Sequence, residues 1–79
     1  MIDIDMINKI EEWGFVIEKE YLGQVSYKLY QVDAIKLIMF NEYLGEEFEK
    51  YLKDNDIKLD NWWPLDVEEF FEQYGIELF

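Results

Sequence analysis

Ala34-Ile35-Lys36-Leu37-Ile38-Met39-Phe40 is the stretch on which the architecture turns. It is apolar except for Lys36, and periodicity alone does not separate a buried strand from a buried helical segment at this length. Its β-compatible aliphatics favour a strand, as does Asn41, which stands next as a cap for a following helix. Just upstream, Val25, Tyr27 and Leu29 alternate with Ser26 and Lys28, Leu22-Gly23-Gln24 reads as a turn, and Phe15 to Leu22 is rich in β-formers. An antiparallel hairpin follows, with residues 34–40 as the third strand.

Before the hairpin, Met6, Ile7, Ile10 and Trp13 recur at helical spacing. Asp3 or Asp5 is placed to cap that helix, and Gly14 suits the left-handed position past its end. After the apolar run, Leu44, Phe48, Tyr51 and Leu52 form one stripe of a surface helix from Glu42 to Asp54. Glu46 with Lys50 and Glu49 with Lys53 stand four residues apart in the favourable order. Pro64, then Asp66 with Glu69 three residues on, signals a capping-box-like start to a last helix that buries Val67, Phe70, Phe71 and Tyr74 and closes at Gly75. The tail Ile76 to Phe79 is an edge strand or a segment packed on the sheet. Helix, three strands, helix, helix predicts an α+β fold: a single small domain over residues 1–79, with helices covering one face of a three-stranded antiparallel sheet.

Composition supports a folded chain and narrows its chemistry. With 51 % hydrophobic and 19 % aromatic residues, the protein lies outside the regime in which highly charged chains stay disordered. There is no cysteine, histidine, arginine or threonine and a single serine, Ser26, so no Ser/His/Asp or Cys/His unit can be assembled. Ser26 reads as a solvent-facing strand residue. A non-enzyme with no cofactor is expected. Asp54, Asp56 and Asp60 have a calcium-like spacing, but Leu59 occupies the position where an EF-hand loop needs glycine, so no metal is expected either. The start Met1-Ile2-Asp3-Ile4-Asp5 is negative where a secretory leader is positive, and no apolar run approaches membrane-span length. The expected location is the cytoplasm of a bacterial host, without a membrane partner.

Charge is the strongest functional signal. The chain has 19 acidic residues and 7 lysines, for a net charge of −12. The excess is uneven, with 7 acids against 4 lysines up to Asn41 and 12 against 3 from Glu42 onward. A pI near 4.1 leaves no basic patch for binding nucleic acid directly. Between Leu59 and Phe79 lie Asp60, Asp66, Glu68, Glu69, Glu72 and Glu77 with no lysine. If Val67, Phe70, Phe71 and Tyr74 turn inward, Glu68, Glu69 and Glu72 face water as neighbours about 5–6 Å apart. A carboxylate row of this kind approximates the phosphates that a basic groove receives. A solvated helix face, with acids near its N-terminus favoured by the helix dipole, explains the same pattern. Trp62-Trp63 adds two large rings beside the acids; a small domain without cysteine favours burying both, and the alternative is that one fills the core while the other anchors an interface.

The acidic start Ile2-Asp3-Ile4-Asp5-Met6-Ile7, the element order and the stretch Trp62 to Phe71 with Asp66-Val67-Glu68-Glu69-Phe70 resemble the small acidic anti-CRISPR proteins of phages that block type II effector nucleases. The resemblance implies a DNA mimic seated where the effector reads the short motif beside its target, with Asp66, Glu68 and Glu69 facing arginines. Gln31-Val32-Asp33-Ala34 departs from the acidic, glycine-containing hairpin that those inhibitors carry between their second and third strands.

The expected function is thus inhibition of a basic nucleic-acid-binding protein, such as a CRISPR effector nuclease or another defence nuclease. The contacts would be Asp60, Trp62, Trp63, Asp66, Glu68, Glu69 and Glu72. An antitoxin or immunity protein plugging a basic nuclease toxin uses the same physics, and an acidic adaptor domain is the third possibility. Either a monomer or a homodimer with aligned acid rows fits.

Overall fold

The computed structural model of the protein describes residues 2–79. Helix α1 (Ile4–Glu12) begins at Asp3, whose carboxylate accepts the Met6 N–H at 3.0 Å, and it buries Met6, Ile7 and Ile10. It ends in a Schellman turn, with Gly14 at φ 96° and the Phe15 N–H donating to the Ile10 carbonyl at 3.2 Å. Strands β1 (Glu18–Tyr21) and β2 (Val25–Leu29) form the expected antiparallel hairpin, with Glu18 opposite Lys28 and Tyr21 opposite Val25.

The next element corrects the sequence-based expectation. Residues 34–40 lie within helix α2 (Gln31–Phe40), not in a third strand. Its buried residues, Ala34, Leu37 and Ile38, fall three and four apart, a narrow stripe hidden in the sequence by apolar neighbours that stay outside. The slot beside β2 is filled from the other end of the chain. Strand β3 (Ile76–Leu78) pairs with β2 in parallel, placing Tyr27 beside Ile76 and Leu29 beside Leu78. The sheet is therefore mixed, in the order β1-β2-β3, and the tail is one of its edges. The start of α2 is tied to that tail, because the Phe79 carbonyl accepts the Gln31 N–H at 2.9 Å.

Two further helices complete the α+β domain. Asn41 closes α2 and opens α3 (Glu42–Asp54), its side-chain oxygen accepting the Leu44 N–H at 2.9 Å. The two helices meet closely at Gly45, where a Cβ would stand 3.1 Å from the Ile38 carbonyl oxygen. Helix α3 buries Leu44, Phe48 and Leu52, and Lys50 pairs with Glu47 at 3.9 Å instead of with Glu46. It ends in a second Schellman turn with Asp56 at φ 58°, the Ile57 N–H reaching the Leu52 carbonyl at 2.8 Å.

Helix α4 (Pro64–Glu72) starts earlier than the Asp66/Glu69 pattern indicates. Pro64 takes the first helical position and Trp63 the cap, so Asp66 becomes the third residue, and its carboxylate accepts the Trp63 N–H at 2.7 Å. Val67, Phe70 and Phe71 are buried, and Phe70 is the hub of the core. The rings of Phe48, Phe71, Tyr74 and Tyr51 surround it edge-on at 5.2, 5.2, 5.5 and 5.6 Å. Edge-to-face arrangements add to simple area burial in joining α3 to α4. Among the described residues no polar or charged side chain is buried, so the core is held by apolar packing alone.

Candidate partner-binding face

Burial of Val67, Phe70 and Phe71 leaves the opposite face of α4 to Glu68, Glu69 and Glu72, all exposed. The chain then turns through Gly75 into β3, which brings Glu77 alongside. The four glutamates border one shallow groove of about 380 Å³, floored by Ile76 and Leu78 with the exposed Leu65 at its edge, and no lysine lines it. Glu77 belongs to the same acid run in sequence, but only the parallel pairing of β3 puts it beside the α4 acids.

Compensation by cations is sparse on this side. Among the described residues the ion pairs are Lys28 with Glu20 at 3.0 Å and Lys50 with Glu47 at 3.9 Å. Lys28 stands next to Glu77 in the β2–β3 register, yet its Nζ is held by Glu20 on β1. Glu68, Glu69 and Glu72 have no such neighbour. Glu69 does make one contact within the fold, accepting a hydrogen bond from the Tyr51 hydroxyl at 3.3 Å. Partial burial and then the Glu69 charge raise the Tyr51 pKa.

The remaining candidates separate from this trio. Asp66 is half-buried and committed to the start of α4, so it orders the helix that carries the acids and is less free than they are to meet a partner. Asp60 is exposed in the connector ahead of Trp62 and does not border the α4–β3 groove. The tryptophans divide instead of both being buried: Trp62 is half-buried with its ring edge-on to Phe48 at 5.3 Å, whereas Trp63 is 69 % exposed at the mouth of α4.

Elsewhere, Ser26 is half-buried opposite Glu20 on β1, more enclosed than the solvent-facing position expected for it. Among the described residues no three acidic side chains are placed to hold a metal ion, and no helix is long and apolar enough to cross a membrane. The observed element order, with a helix where the third strand was expected and the last strand parallel, departs from the order on which the anti-CRISPR resemblance rests. Comparison of the chain with protein-family models, with curated proteins and with solved structures finds no match.

Proposed function

We propose that the protein is a non-enzymatic inhibitor that seats its α4–β3 face in the basic nucleic-acid groove of a target protein, with a CRISPR effector or other defence nuclease as the client. One observation carries the proposal. Glu68, Glu69 and Glu72 form a rigid exposed row on a helix anchored by three buried side chains, with Glu77 beside them and no cation lining their groove. An uncompensated array raises the free energy of the isolated fold by self-repulsion, and a cationic groove would relieve that repulsion on binding. Helical presentation fixes the carboxylates before encounter, which favours fast, electrostatically steered association. Trp63, exposed at the start of the same helix, supplies an apolar anchor at one end of the row.

The test is capture of targets from bacterial lysate on the immobilised protein, followed by competition with duplex DNA. A target that binds DNA by itself, is displaced by DNA and by salt, and is not retained by a Glu68→Lys/Glu69→Lys/Glu72→Lys variant is the expected result. Salt matters because screening shortens from ~10 Å at 0.1 M to ~3 Å at 1 M. A partner held equally by the variant and at high salt would point to an adaptor surface elsewhere and end the proposal. A DNA-displaceable partner that proves to be a secreted or plasmid-borne nuclease toxin would keep the mechanism and assign the protein as an immunity factor.

A further inference from the structure

A second surface, independent of the α4–β3 face, combines exposed apolar area with a single sign of charge. Where α2 meets α3 at Asn41, the last turn of α2 leaves Phe40 81 % and Met39 61 % exposed, and Leu59 from the connector stands across from them at 59 %. The three border a groove of about 370 Å³ whose floor is Phe48 and Trp62, joined edge-on at 5.3 Å. Large apolar side chains gathered around a concave, aromatic-floored depression mark interaction surfaces more often than isolated exposed residues do.

Charge restricts what can fill it. Every ionisable side chain lining the groove is a glutamate: Glu42, Glu46 and Glu49, from the exposed side of α3. Helix α2 ends at the groove where α3 begins, both meeting at Asn41, so the negative end of one helix dipole faces the positive end of the next and the charge of the rim is set by the glutamates. A second copy of this chain is a poor occupant, since each copy carries a net charge of −12 and would bring more glutamates to the same rim. Strand addition is also disfavoured, because the groove lies between helices and a connector and presents no sheet edge.

We infer that the α2–α3 groove is a docking site for a basic amphipathic helix of a partner protein, with apolar side chains entering between Phe40 and Leu59 while lysines or arginines meet Glu42, Glu46 and Glu49. The occupant's apolar stripe removes Phe40 and Met39 from water, and its cations complement the glutamate rim. Helix-in-groove recognition of this type reads anchors three and four residues apart. The site uses none of the α4 carboxylates, so the protein would hold a partner at two separate faces.

The experiment titrates the isotope-labelled protein with a synthetic peptide carrying leucines at helical spacing and lysines elsewhere, following backbone amides and the Trp62 indole N–H by NMR. A scrambled peptide of identical composition serves as the control for charge alone. The expected result is saturable shifts centred on Met39, Phe40, Gly45, Leu59 and Trp62. The scrambled peptide should bind on the order of tenfold more weakly, and Phe40→Ala/Leu59→Ser should lose a similar factor. Both substituted residues are exposed, so the variant keeps the core, and its unchanged amide spectrum away from the groove verifies that. The Glu68→Lys/Glu69→Lys/Glu72→Lys variant should bind the peptide as the parent does, which separates failure here from failure of the α4–β3 proposal. Equal binding of the scrambled peptide, shifts confined to α4 and β3, or self-association abolished by Phe40→Ala would each overturn the inference.

Discussion

Helices α3 and α4 share one aromatic core and treat their surface charge in opposite ways. Phe48 and Phe70 face each other edge-on at 5.2 Å, and each helix lends a tyrosine to the other's acids: Tyr51 of α3 donates to Glu69, and Tyr74 beyond α4 stands near Glu47. Yet α3 carries lysines, one paired with Glu47, whereas α4 has none and no basic residue in its last turn. On α3, part of the acidic charge is neutralised by its own lysines. On α4 the same type of residue is left uncompensated, so the two helices differ in how their charge is balanced more than in the number of acids they carry.

The strongest way to break the comparison is to remove what the helices share. Phe70→Ala should cost about 3–5 kcal/mol, the range for deleting a buried aromatic ring, which is comparable to the whole stability of a small domain. Chemical denaturation followed by circular dichroism should show both helices lost together; α3 surviving without α4 would mean that the ring cluster does not couple them. Next come the helix starts. Asn41→Ala should cost about 1 kcal/mol because the Leu44 N–H loses its acceptor, and Asp66→Ala about 0.3–1 kcal/mol for the acid at the α4 dipole, both read as shifts in denaturation midpoint.

A single charge exchange sharpens the comparison further. Glu72→Lys gives α4 a lysine in its last turn and a Glu68–Lys pair four residues apart, for a gain of about 0.5–1 kcal/mol at low salt. The same change should weaken binding through the α4–β3 face, so stability and affinity move in opposite directions. A variant that gained both would show that the acid row is not the binding surface.

The last effect is confined to alkaline solution. Burial, then the nearby Glu47 carboxylate, pushes the Tyr74 pKa up to about 12 from the ordinary 10.0. The fold favours the neutral phenol, so this contribution to stability is complete below pH 10 and is lost as pH rises from 10 toward 12. Tyr51 and Tyr30 shift in the same direction, the latter chiefly through Glu18. Tyr74→Phe should flatten the alkaline limb of the stability profile without moving its neutral plateau. An unchanged alkaline limb would place the sensitivity at the other two tyrosines.

Local chemistry was legible in the chain: Asp3 and Asn41 as caps, Gly14 as a helix stop, the Leu22-Gly23-Gln24 turn, and the inward set Val67, Phe70 and Phe71 that exposes Glu68, Glu69 and Glu72. Each of these is specified by residues within a few positions of one another. The larger failure was non-local. Residues 34–40 read as a strand because apolar side chains surround the helical stripe, and the true third strand is selected by a parallel partner from the opposite end of the chain. A smaller, local miss was the start of α4: Pro64 at the first helical position fixes Trp63 as the cap, three positions ahead of Asp66. Glu77 joined the acid face, and the apolar α2–α3 groove appeared, only once α2 was a helix and β3 a strand.

The parallel pairing of β2 with β3 carries a kinetic consequence. Three of the four helices lie between these strands, and the N-terminal segment is fastened to the same region: the Asp3 N–H bonds the Tyr74 carbonyl at 2.9 Å, and a Cβ on Gly75 would stand 2.8 Å from Ile2. Contacts between distant parts of a chain must form before they offset the entropy of closing the intervening loop. A domain of this helical content could otherwise complete its fold in microseconds, but closure of the sheet from both ends moves the expected time toward milliseconds. During that interval the α2 segment is free of the tail that later holds its first turn, and its apolar run has the opportunity to sample the β pairing that its sequence advertises.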